Sequence, residues 1–158
     1  MPVRTAKAIL DQYWNRQIPV DPAQIAQQAG AQVLADYSMP SKGLSGSFDI
    51  EHGQPVISFN PNDAWVRQRF TIAHELGHMT LGHGPGLRDS NWSFSGSVQD
   101  WKEREANAFS AELLMPSEVM EWFVVQRGER DIGRMSRELG VSEAAMRFRL
   151  KNLGYTRS

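Results

Sequence analysis

Apolar residues recur along this chain with the spacing of helices over most of its length and of strands over a short central stretch. From Ala64 to Leu81, Val66, Phe70, Ala73 and Leu76 return every three or four positions, and Trp65, Ile72 and Met79 widen the stripe. That pattern predicts a long helix buried on more than one side, on which any polar residue is conspicuous. Asn60-Pro61-Asn62-Asp63 supplies its start, and Gly82 and Gly84 stop it. A second long helical pattern runs from Val98 to Met115 and ends at Pro116, after a Gly-, Ser- and Asn-rich stretch at 84–97 that reads as a loop. Shorter helices are predicted over residues 4–15, and from Pro22 to a stop at Gly30 with Asp21 as cap. Others follow after a Ser117 cap, and over 131–139 and 143–153.

Ala31 to Asp36 alternates weakly, and Gly43–Ile50 and Pro55–Phe59 flank Glu51-His52-Gly53-Gln54, which reads as an antiparallel hairpin in a sheet of three strands. The expected class is α+β: a small antiparallel sheet packed on a helical core, residues 1–116. Residues 117–158 form a C-terminal helical unit. In it Ile132, Met135 and Leu139, then Val141, then Met146, Leu150 and Leu153 make the apolar skeleton of a helix-turn-helix.

Composition narrows the chemistry. The 158 residues carry 17 basic and 18 acidic groups and no cysteine. Thiol nucleophiles, disulfides and cysteine-held metals are excluded, and no overall field draws the chain to nucleic acid or anionic lipid. Residues 117–158 hold eight basic and six acidic groups, a surplus that a solvated helix surface accounts for. Apolar runs such as Trp122-Phe123-Val124-Val125 fall far short of a membrane span. Arg4 and Lys7 are followed by Asp11 and Asn15 rather than an apolar run, so a cytoplasmic location is expected.

Within the first long helix stands His74-Glu75-Leu76-Gly77-His78, an H-E-x-x-H motif. Four residues of helix turn about 400°, so the two imidazoles lie about 40° apart and one turn along, able to converge on one ion. Glu75 between them suits a general base that takes a proton from an attacking water and returns it to a leaving amine. The alternative is two core histidines and a surface glutamate, and the helical context weighs against it.

Catalytic zinc takes a third protein ligand. His83 follows closely, but on a continued helix it would lie about 140° round from His78 and face away. Glu103, Glu105 and Glu112 on the second long helix are all available, and spacing leaves the choice among them open.

His74-Glu75-Leu76-Gly77-His78 with Leu81-Gly82-His83, followed by Glu105-Ala106-Asn107-Ala108-Phe109-Ser110-Ala111-Glu112-Leu113-Leu114-Met115-Pro116, resembles the ImmA/IrrE family of metallopeptidases over roughly residues 20 to 120. The resemblance implies a zinc metallopeptidase unit in residues 1–116. In the family, the glutamate opening an E-x-x-A-x-x-F-A-x-x-L-L-M-P pattern is the third metal ligand. Read against Phe109 and Leu113-Leu114-Met115-Pro116, that role goes to Glu105, with Glu103 second in line. The expected site is thus His74, His78 and Glu105 around Zn2+, with Mn2+ or Fe2+ as substitutes and Glu75 as base. The resemblance further implies intracellular, site-specific cleavage of a helix-turn-helix repressor of the XRE type, linked to a mobile element or a stress response.

Asp100, Glu103 and Glu112 are candidates to orient the ligating histidines, and His83, Tyr37 or an arginine to stabilise an oxyanion. The strand at 43–50, opening Gly43-Leu44-Ser45-Gly46-Ser47, is a candidate open edge for pairing an extended substrate. The C-terminal helices could dock the repressor, bind DNA or only pack. A non-proteolytic antirepressor or antitoxin-like binder and a DNA-binding regulator are the competing classes; the base-bearing motif counts against the first, the near-neutral charge against the second.

Overall fold

The computed structural model describes residues 1–89 and 100–157. In chain order the elements are α1 (Pro2–Tyr13), α2 (Pro22–Gln28), β1 (Gln32–Ala35), α3 (Met39–Lys42), β2 (Leu44–Glu51), β3 (Gln54–Phe59), α4 (Trp65–Thr80), β4 (Gly86–Asp89), α5 (Trp101–Leu114) and α6 (Ser117–Glu121). A π-helical turn at Trp122–Gln126, α7 (Ile132–Leu139) and α8 (Glu143–Asn152) complete them.

Helix α4 lies at the centre, with every residue from Arg69 to His78 buried. One side packs on β2 and β3, and the others meet α5 and α2. The approach to α5 is close because Gly77 lacks a side chain. A Cβ there would lie 3.0–3.3 Å from Phe109, itself wholly buried. This contact sets the gap between α4 and α5.

The sheet has the order β1-β3-β2-β4. Its hairpin is the predicted one, β2 antiparallel to β3 from Gly46↔Phe59 to Glu51↔Gln54, closed by His52 and Gly53 at φ 53° and 81°. Both turn residues adopt positive φ, as a two-residue turn matching the twist of the strands requires. Two features depart from expectation. β1 runs parallel to β3, so the sheet is mixed rather than antiparallel, because α3 and β2 intervene before the chain returns beside β1. The first part of the expected 84–97 loop is β4, paired antiparallel to β2. The remainder of that loop, with Val98 and Gln99 of the expected second long helix, lies outside the described residues; α5 starts at Trp101, where Asp100 accepts the Lys102 N–H at 2.8 Å.

Local capping explains most boundaries. Asp21 accepts from Ala23 and Gln24, Asp131 from Arg134 and Ser142 from Ala145, each tying down helix N–H groups. Ser117 does not cap α6; Pro116 holds that position, and the Ser117 hydroxyl donates to Glu112 at 2.6 Å.

The C-terminal helices join the core of the rest. Met135, Leu139, Val141, Met146 and Leu150 belong to one buried cluster with Phe70, Leu76, Phe109 and Leu113. Two buried arginines cross the seam. Arg69 of α4 donates to the carbonyls of Gly140 and Leu139 at 3.0 and 3.2 Å, its pKa lowered by burial against the pull of Asp21. Arg149 of α8 donates to Glu112 of α5 at 2.7 Å and to the Met115 carbonyl at 3.0 Å. Among the described residues no helix is long and apolar enough to cross a membrane.

Candidate metal centre

One turn of α4 brings the His74 and His78 rings together, centroids 4.6 Å apart and planes at 76°, with the two Nε2 atoms 3.0 Å from each other. Both side chains are buried. Across the gap, Glu103 on the first turn of α5 places Oε2 2.8 Å from His74 Nε2 and Oε1 3.2 Å from His78 Nε2. These three residues each offer a ligand atom, all mutually within 4.8 Å. The donor set fits a small divalent cation. A tetrahedral ion with bonds of about 2.0–2.1 Å spaces its ligands roughly 3.3 Å apart, close to the separations here, and two imidazoles with one carboxylate suit zinc-like metals.

Glu75 is wholly buried between α4 and the sheet. Its neighbour across the interface is Gly46 of β2, where an added Cβ would lie 3.5 Å from Glu75 Oε2 and would collide with the Thr71 methyl group. The glycine lets the strand pass directly over the H-E-x-x-H helix.

His83 stands just past the helix end, and its path is set by Gly82. With Leu81 as C-cap and Gly82 at φ 73°, the Gly82 N–H donates to Met79 O and the His83 N–H returns to His78 O at 3.0 Å. This is the Schellman arrangement, which carries the residue after the glycine back over the last turn instead of onward around the axis. The His83 ring therefore faces His78, with Nδ1 atoms 2.9 Å apart, while His83 Nε2 lies 2.7 Å from Glu105 Oε1. Trp101 packs edge-on against His83 at 5.4 Å.

A family model described as the IrrE N-terminal-like domain, of a peptidase family, matches residues 26–151. The chain belongs to this family. Among its IrrE relatives are the radiation response metalloproteases IrrE of Deinococcus deserti and Deinococcus radiodurans, each 32% identical over 116 residues, 71% of this chain. The chain spans 41% and 35% of those proteins' lengths.

Within this IrrE-like chain, the structure brings His74, His78 and Glu103 together, and it places Glu105 elsewhere, against His83. The reason is helical phase. Glu103 sits about 60° from Ala106 and about 20° from Ser110 around the α5 axis, inside the buried arc that faces α4. Glu105 lies about 100° from Ala106 on the other side, where the turn after α4 brings His83 against it. A signal was available: counted back from Phe109 and Ala106, the E-x-x-A-x-x-F register begins at Glu103, not Glu105. His83, expected to face away, was missed as a neighbour because that reading continued the helix past Gly82.

The other candidates sit apart from the three donors. Glu112 is held at the far end of α5 by Arg149 and by the Ser117 N–H and hydroxyl. Asp100 caps α5, and Tyr37 is 81% exposed in the turn after β1. The expected open edge at 43–50 is covered: β2 lies between β3 and β4.

Proposed function

We propose that this chain is a zinc-dependent endopeptidase in which His74, His78 and Glu103 hold the ion and Glu75 is the general base. The observation that carries the reading is the single carboxylate of Glu103 facing both Nε2 atoms of an H-E-x-x-H helix in a member of a peptidase family. When bound, the metal would polarise the scissile carbonyl and ease deprotonation of the attacking water, and Mn2+ or Fe2+ would fit the same donors.

The protein supplies position and proton handling. His74 and His78 are set by one helical turn, and Gly77 keeps Glu103 within reach. Glu75 would accept a proton from the attacking water and pass it to the leaving amine. The substrate we propose is a helix-turn-helix repressor of the XRE type in the cytoplasm. This rests on the ImmA/IrrE resemblance and on the metalloprotease names of the Deinococcus relatives.

The test is purified protein incubated with Zn2+ and a panel of small helix-turn-helix repressors of the XRE type, taking first any encoded in a neighbouring gene, with and without chelator. Cleavage at one site that chelator stops is the expected result. Glu75→Gln should retain zinc and lose cleavage; full activity in that variant would remove Glu75 from the role.

A further inference from the structure

We infer that Glu105 and His83 form a relay that orients the metal ligand His78, so that Glu105 serves the ion through two imidazoles rather than by binding it. The inference rests on the metal reading above. An imidazole that offers Nε2 to a cation carries its proton on Nδ1. His78 Nδ1 then donates across 2.9 Å to His83 Nδ1. An acceptor at His83 Nδ1 places the His83 proton on Nε2, which donates to Glu105 Oε1 at 2.7 Å. Every proton in the chain Glu105–His83–His78 is thereby assigned, with no donor facing a donor.

The geometry is built rather than incidental. The His83 side chain is only 4% exposed, the Gly82 turn returns its backbone to His78 O, and Trp101 walls its ring. Lys102 also reaches the His83 carbonyl, at 3.5 Å. The Glu105 carboxylate, one-third exposed, holds the outer end. A carboxylate partner on a ligating histidine fixes its tautomer and ring angle and raises its basicity, and losing such a partner weakens metal binding about 10- to 100-fold.

The experiment measures Zn2+ affinity of the full chain by competition with a chromophoric chelator, beside the melting temperature of the metal-free protein. Expected is a 10- to 100-fold weaker affinity for His83→Phe and a smaller loss for Glu105→Ala. The double variant should be no weaker than His83→Phe alone, because the carboxylate acts through the ring. His83→Gln, whose amide can accept from His78 and donate to Glu105, should recover part of the loss. Metal-free melting temperatures should stay close to wild type, which a purely structural role would not allow. If phenylalanine at 83 prevents folding, Glu105→Ala decides. Zinc affinity within twofold of wild type in Glu105→Ala and in any His83 variant that folds would overturn the relay, as would additive losses in the double variant. Wild-type protein that takes up no zinc would instead overturn the metal reading itself, and the relay with it.

Discussion

Replacing Arg149 with methionine should be among the most damaging single changes away from the candidate metal centre. The Arg149 guanidinium is 7% exposed and donates to Glu112 Oε1 at 2.7 Å, to Met115 O at 3.0 Å and to Ser117 Oγ at 3.3 Å. Methionine keeps much of the apolar stem and removes all three donors. Glu112, 2% exposed, would keep its bonds from the Ser117 N–H and hydroxyl but face its burial without a counter-charge, and the Met115 carbonyl would lose a donor. Removing one partner of a buried pair costs about 3–5 kcal/mol, a large share of the roughly 5–15 kcal/mol that holds a domain folded. For a chain of this size that lowers the melting temperature by roughly 6–20 °C. Urea unfolding of the metal-free protein followed by far-UV circular dichroism measures it, with an unchanged m-value showing that the midpoint shift reports stability. The paired variant Arg149→Met with Glu112→Gln should regain part of the loss, since the amide removes the uncompensated charge and its oxygen can still accept from Ser117. A loss below about 1 kcal/mol in the single variant, or a double variant weaker than the single, would refute the claim that this pair ties α8 to α5.

Three further outcomes are expected. Glu103→Ala should weaken zinc binding more than Glu105→Ala does, and isothermal titration giving the reverse order would return the third-ligand role to Glu105. Gly46→Ala should cost about 1–3 kcal/mol through collision with the Thr71 methyl, and Thr71→Ser, which removes that methyl, should recover most of it in chemical denaturation. Asp36 accepts from the Ser38 hydroxyl and N–H, which lower its pKa, so its stabilising contribution is present at neutral pH and is lost as pH falls through its depressed folded value. An NMR titration of its carboxyl should give a midpoint below the usual value of about 3.9, and a midpoint at or above that would contradict the turn geometry.

Local rules made much of this protein legible from its residues alone. The H-E-x-x-H spacing converges two imidazoles through nothing more than the pitch of one helix, and that helix announces itself by a broad apolar stripe. The hairpin at 44–59 and the cap Asp21 follow equally from neighbours in the chain. Most of what the residues alone did not place depended on contacts between distant segments. That Glu103 rather than Glu105 faces His74 and His78 is decided only when α5 packs on α4, in a contact where Phe109 lodges against Gly77, 32 residues away in sequence. The parallel pairing of β1, the covering of β2 by β4, and the Arg149–Glu112 bond are likewise choices among partners, and periodicity carries no information about partners. His83 lies between the two cases. Its return to His78 is a local consequence of Gly82, but what it meets there, a glutamate from α5, exists only once the two helices have packed.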